Sequence, residues 1–347
     1  MKRPAGLLFS LLSIFSPLSR AAETDTQPNP LPGWPPEVGE VFYPSHADGT
    51  LQPTLFYDPK SDAPAPLLVA LHTWSGNYKQ AQPAYAEWCI RKGWILVHPN
   101  FRGPNKTPEA CGSDLVVEDI LSVVNWARKT ARVDPDRIYL MGASGGGYAS
   151  MLLAGRAPQV WAGVSAWCGI FDLRHWHAER KQDGYAKMME AACGGAPGTS
   201  PTVDEQYGKR SASTWLTNAS GLPLDLNTGI WDGHKGSVPV SHSLNAFNVL
   251  AAPADRIPAE QIHELTVNAT VPEARRFEGS DPVYGKRPVL YRNISGNCRI
   301  TVFEGAHDMV VNAGLRWLEQ QRKGQAATWK VEASEADRAE AGTAVSK

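Results

Sequence analysis

An excess of charge of either sign is the first thing this chain lacks: 34 Lys and Arg stand against 35 Asp and Glu, a formal net charge of -1. No long-range field gathers polyanions or a membrane surface, so a nucleic-acid partner is excluded as a first expectation. Cysteine is sparse as well, with five residues in 347, and no C-x-x-C pair or Cys/His cluster at zinc spacing occurs. A structural metal centre is therefore not implied, and nothing in the chain asks for a cofactor. Beyond the first twenty residues there is no apolar run of membrane-spanning length, and no repeat at solenoid or propeller period. What remains is a globular composition, 42% hydrophobic and 20% charged, with enough chain for one large α/β core. Tryptophan, at twelve residues, is the one surplus.

The two ends read differently from the body. Lys2 and Arg3, the apolar stretch 6–16 and the small-x-small step Ser19-Arg20-Ala21 form the pattern of a secretory signal over residues 1–21. Its removal takes away three basic residues, leaves a net charge of about -4, and implies a periplasmic or secreted protein with no membrane attachment. Export would put Cys89, Cys111, Cys168, Cys193 and Cys298 where disulfides persist, and their odd number leaves at least one unpaired. A Cys168–Cys193 bridge and buried free thiols are both open. Residues 324–347, rich in Ala, Glu, Ser and Lys, read as a flexible tail after a catalytic domain at 22–323.

Within the body, short apolar runs at 67–71, 95–98, 138–141, 162–167 and 300–303 have the pattern of strands buried on both faces of a parallel sheet. Between them, apolar residues three and four apart predict helices over 116–131, 147–154 and 309–321. Strands and helices alternate at lengths suited to right-handed crossovers, so the expectation is a doubly wound α/β sheet with helices on both faces. Residues 174–222 and 252–296 break the alternation and read as two insertions over the rim.

The sharpest chemical signal is Gly142-Ala143-Ser144-Gly145-Gly146, a G-x-S-x-G between a buried strand and a helix. A nucleophile held out on so tight a turn needs small neighbours, which Gly142 and Gly146 supply. A serine hydroxyl is protonated at neutral pH and needs a positioned base. His307, in Phe303-Glu304-Gly305-Ala306-His307-Asp308 after the last predicted strand, is the best of nine histidines for that task.

These segments, together with Leu71-His72-Thr73-Trp74-Ser75-Gly76, Asn100-Phe101-Arg102-Gly103, Val133-Asp134-Pro135-Asp136-Arg137 and Ser237-Val238-Pro239-Val240-Ser241, resemble the α/β-hydrolase family. Within it, the likeness is to free-standing relatives of the prolyl oligopeptidase catalytic domain, over roughly residues 39–322. The resemblance implies a mostly parallel eight-stranded sheet and a triad in chain order Ser144, acid, His307. It points to Asp232 as the acid, after the strand at 224–230. The family spacing, with the acid three residues before Val-Pro, instead falls on Lys235 here, so the loop is longer; Asp225 is the alternative. It also implies an oxyanion hole from the backbone N–H of Gly145 and of either Trp74 or Thr73, Thr73 standing where the family has glycine.

Trp74, Trp167, Trp176 and Trp231 fall at strand ends or rim loops, where flat rings can meet a sugar or an aromatic acyl group; Trp176 and Trp231 are the substrate-binding candidates. Arg102 could anchor a substrate anion, although a structural ion pair is the commoner fate of such a residue. His175 and His177 suggest a metal pair only weakly. Peptidases of the resembling family carry a large propeller, whereas here about 45 residues lie between the expected cleavage site and the third strand, too few for two blades of about 40 residues. The expectation is an exported serine esterase acting on acyl or feruloyl esters, small or polysaccharide-linked. A peptidase, a polyester depolymerase and a non-catalytic binding protein are the alternatives.

Overall fold

The computed structural model describes Met1 and residues 31–181 and 183–334; the predicted signal sequence, apart from Met1, and the last part of the tail lie outside the described residues. Nine strands form one sheet: β1 (Gly39–Pro44), β2 (Leu51–Tyr57), β3 (Ala65–Leu71), β4 (Ile95–Pro99), β5 (Val133–Ala143), β6 (Gly163–Trp167), β7 (Leu224–Gly229), β8 (Val289–Ser295) and β9 (Cys298–Phe303). Their order across the sheet is β1-β2-β4-β3-β5-β6-β7-β9-β8. The six central strands run parallel, while β1 and β2 at one edge and β8 at the other run antiparallel to their neighbours.

Burial of both sheet faces explains the continuous apolar strands. In β3, Leu67, Val69 and Leu71 point into one core and Leu68 and Ala70 into the other, and β5 repeats this with Ile138 and Leu140 against Tyr139 and Met141. The first core is closed by α2 (Asp114–Thr130), α3 (Gly145–Arg156) and α7 (Ser241–Leu250). The second is closed by α1 (Pro83–Lys92) and α9 (Val311–Glu319), and it absorbs part of the tryptophan surplus, with Trp88, Trp94, Trp167 and Trp317 packed there. Burying each such side chain contributes about 1.5–3 kcal/mol.

The expected strand count needs correction. The sheet has nine strands rather than eight, because residues 252–296 are more than an insertion: they hold α8 (Ala259–Val267) and then β8, which turns back through Gly296 to pair with β9. The other irregular segment, 174–222, is largely helical, with α4 (Leu173–Glu179), α5 (Gly184–Cys193) and α6 (Pro201–Arg210). Buried Arg210 ties it to the body by donating to the carbonyls of Pro108, Ala110 and Cys111. The tail is also attached as far as residue 334. Trp329 stacks on Trp317 at 5.5 Å, and Gln321 exchanges two hydrogen bonds with Thr328.

The Cys168–Cys193 bridge does not form; all five cysteines are free and buried. Cys168 sits in the turn after β6 and donates to the carbonyl of Asp308, whereas Cys193 ends α5 in the insertion, so each is engaged in a different part of the fold. Among the described residues no helix is long and apolar enough to cross a membrane.

Asp225 is buried in the sheet, where one oxygen accepts from Arg299 at 2.7 Å and the other from Asn227 at 2.8 Å. Replacing Arg299 with Met should leave that carboxylate buried with its charge uncompensated and lower stability by about 3–5 kcal/mol. Urea unfolding at neutral pH reads the loss directly.

Candidate active site

The C-terminal ends of the parallel strands carry the site. β5 runs into Ser144, which has φ 58° and ψ -120°, and α3 starts at the next residue. Positive φ in a non-glycine residue is strained. Here it is held by Ser144 N–H donating to the Trp167 carbonyl at 2.9 Å and by glycines that let three backbones meet. A Cβ on Gly142 would lie 2.6 Å from the backbone of Gly146, one on Gly146 would lie 2.5 Å from the Leu71 carbonyl, and one on Gly145 would collide with Trp74 N. Gly142 and Gly146 are required by contact, as the motif suggested.

That last collision also marks where two backbone segments meet most closely. Trp74 N lies against Gly145, and within the described chain neither the Trp74 nor the Gly145 N–H is engaged in a hydrogen bond. Thr73 N–H, by contrast, donates to Gln80 Oε1 at 2.9 Å. Of the two alternatives, the Trp74 N–H is the one left without a partner among the described residues.

Asp232 lies in the turn after β7 and is fully buried. Its Oδ1 accepts from the backbone N–H of Gly233 at 3.0 Å and of Val238 at 3.1 Å, and its Oδ2 takes His307 Nδ1 at 2.8 Å. Asp225 is remote from this pair, held by Arg299 inside the sheet. His307 stands in a loop four residues ahead of α9 rather than at the helix start, and that loop is braced by Asp308, which accepts from Ala306 N–H and pairs with Arg287. An imidazole fixed through Nδ1 in this way presents Nε2 for proton transfer. In this resting geometry the contact at Nε2 is with Ser237 Oγ, at 3.4 Å, and no hydrogen bond joins Ser144 to His307 among the described residues. Such bonds often close only with substrate in place.

Ser237 was not singled out from sequence. The signal lay in the longer loop between Asp232 and Val238, whose extra residues bring Ser237 to His307 and let its carbonyl accept from Trp176 Nε1 at 2.8 Å. Cys168, beside the same pair, had no sequence signal beyond being a cysteine.

The other candidates divide. Trp74 and Trp176 meet at 4.8 Å, and Tyr185 from α5 packs on Trp176 at 5.0 Å; Trp176 is only 1% exposed, so it is a wall braced by Ser237 rather than an open rim platform. The half-buried Tyr185 is the ring of this group that meets solvent. Trp231 is half-buried, donates to Glu304 at 2.7 Å, carries Lys235 over its ring and lines a separate cavity of about 340 Å³ with Phe277 and Arg276. Arg102 is not an open anion anchor: it is held by Asp119 at 2.6 Å and Asp48 at 2.9 Å, which leaves little charge for a substrate. His175 and His177 reach different glutamates, Glu179 and Glu190, and do not converge on a common point.

Comparison with known proteins follows the same lines. The model of the prolyl oligopeptidase family matches residues 83–263, which takes in Ser144 and Asp232 and leaves Trp74 and His307 outside. Dipeptidyl aminopeptidase BIII of Pseudoxanthomonas mexicana is 28% identical over 191 residues, 48% of this chain and 24% of that protein. Feruloyl esterase B of Thermothelomyces thermophilus is 28% identical over 134 residues, 35% of this chain and 44% of that protein. This chain thus spans less than half the length of either relative. Among solved structures, the Pyrococcus horikoshii acylaminoacyl peptidase superposes with a TM-score of 0.54 at 18% identity, covering 80% of this chain and 38% of that one.

Beneath the site lie two buried imidazoles. Burial pushes His72 down to about 4, against the opposing pull of its contacts with the Thr73 and Asn100 carbonyls, and pushes His98 down to about 3. The unfolded chain, with imidazoles near 6.5, binds more protons than the folded one between those values. Their contribution to stability is therefore complete above about pH 6.5 and lost progressively toward pH 4 and below, on the order of 3 kcal/mol for His72 and 5 kcal/mol for His98. Urea unfolding between pH 7 and 4 should show that decline, and His98→Gln should make it shallower.

Proposed function

Because the chain belongs to the prolyl oligopeptidase family of serine hydrolases, we propose that it is an exported carboxylic-ester hydrolase acting on acyl or feruloyl esters, free or linked to polysaccharide. The observation that carries the hydrolytic reading is the convergence of the strained Ser144 elbow, two unengaged N–H groups and the Asp232–His307 pair on one rim of the sheet.

In this mechanism Ser144 Oγ attacks the ester carbonyl while His307 Nε2 takes its proton. The carbonyl oxygen, now negative, is held by the N–H groups of Gly145 and Trp74, donors fixed before the reaction starts and so needing no reorganisation. The tetrahedral intermediate collapses as His307 returns the proton to the leaving alcohol, and an acyl-Ser144 remains. Water then attacks, His307 acting again as base, and the acid is released. Asp232 keeps the proton on Nδ1 and stabilises the imidazolium without itself becoming protonated.

Support for an ester substrate comes from the likeness to a feruloyl esterase and from the aromatic wall of Trp74, Trp176 and Tyr185 beside the two N–H groups, which suits a flat acyl group. A second reading, peptide hydrolysis, is favoured by the longer match to an aminopeptidase. Export rests on the residues that open the sequence.

Ser144→Ala and Asp232→Asn should each lower kcat by on the order of 10⁴-fold while unfolding as the parent does. The panel to use is p-nitrophenyl acetate, p-nitrophenyl butyrate, methyl ferulate and a dipeptide anilide. Faster turnover of the anilide than of every ester would replace the esterase reading with a peptidase one, and full activity in Ser144→Ala would remove the nucleophile.

A further inference from the structure

One group in the site has no part in that chemistry. Cys168, in the turn after β6, is buried beside the Asp232–His307 pair, with its thiol directed at the Asp308 carbonyl 3.2 Å away. Burial first, and the neighbouring Asp232 charge next, push that thiol well above its ordinary range, so it stays protonated and is neither a nucleophile nor a ready target for oxidation. Its position is another matter. The sulfur of Cys168, a carboxylate oxygen of Asp232 and a ring nitrogen of His307 all lie within 4.8 Å of one another.

We propose that Cys168, Asp232 and His307 form a site for a single thiophilic divalent cation, of the Zn²⁺ or Cd²⁺ class, whose binding switches the hydrolase off. The ligand set is one sulfur, one oxygen and one nitrogen, which borderline and soft d¹⁰ ions accept in tetrahedral geometry. Metal bonds of about 2.0–2.3 Å require the Asp232 oxygen and His307 Nδ1, now 2.8 Å apart, to part by about 0.5 Å and the Cys168 sulfur to move in toward them, which is within reach of side-chain adjustment. The Asp308 carbonyl or a water can fill the fourth position.

Charge balance favours the site. The cation displaces the thiol proton to solvent, and the resulting thiolate, the Asp232 carboxylate and neutral imidazole sum with the ion to a net charge of zero, the condition under which burial costs least. Coordination at His307 Nδ1 also moves the ring proton to Nε2. An imidazole protonated at Nε2 cannot accept the proton of Ser144, so a bound ion blocks the base without occupying the substrate cleft. Metal binding itself stands on geometry alone; only the loss of turnover rests on the hydrolase reading.

The test is a Cd²⁺ titration of the metal-free full chain, followed by the ultraviolet thiolate-to-cadmium charge-transfer band, with hydrolysis of p-nitrophenyl acetate read in parallel. The parent protein should bind one Cd²⁺ with that band and lose turnover over the same concentration range, and a chelator should restore it. In Cys168→Ser, and in Cys168→Ala as a second variant, the band should vanish and affinity should fall by at least about tenfold, since even losing a supporting partner of a metal ligand costs that much. No band in the parent, or an unchanged band and affinity in both variants, overturns the site. A parent that binds Cd²⁺ through Cys168 but hydrolyses nothing would preserve the site and sink the hydrolase reading instead.

Discussion

The structure depends on the absence of side chains where α3 departs from β5. Three backbones, those of the Leu71–Trp74 segment, the elbow and the Trp167–Gly169 turn, approach so closely that Cβ atoms on Gly142, Gly145, Gly146 and Gly147 would each overlap main-chain atoms. That contact fixes the helix against the sheet, forces Ser144 into positive φ and brings Trp74 N beside Gly145 in one stroke. Loosening it would displace Ser144 and the Trp74 and Gly145 N–H groups together. The strain at Ser144 persists because the neighbouring turn accepts its N–H and the helix begins immediately afterwards.

The other half of the site is held by a different device. Asp232 is oriented by main-chain N–H groups, and its loop is tied to the next strand's exit by Trp231 N–H donating to the Gly305 carbonyl. Gly236 passes so near Asp232 and His307 that no side chain fits between them. The aromatic wall is linked to this loop through Trp176 and Ser237. The aromatic wall and His307 thus share a support in Ser237, although they come from elements far apart in the chain.

Much of this was legible from residues alone. Central strands announce themselves when both faces are buried, because no polar residue interrupts the run, and 67–71 is such a case. The tight turn at Ser144 was legible because its motif is a steric requirement, and the contact between Asp232 and His307 fits the chain order that the resemblance implied. Edge strand β8 was not: four of its seven residues are partly or fully exposed, and Arg292 and Asn293 break the apolar pattern that marks an inner strand. Arg102 and Trp176 show the limit of sequence position for a related reason. A sequence position near the rim says which end of the sheet a residue occupies, whereas Asp119, Asp48 and Ser237, remote in the chain, decide whether its side chain is open to a ligand. The Cys168–Cys193 pairing failed because compartment suggests bridges but only distance makes them.

The manner in which Asp232 is anchored bears on how this loop can change over generations. Its two Oδ1 partners are peptide groups, which every residue other than proline supplies, so the identities of His234 and Lys235 matter little to the carboxylate's aim. Drift at those positions can change the surface around Trp231 and Thr266, which Lys235 and His234 touch, while the carboxylate beneath keeps its bearing.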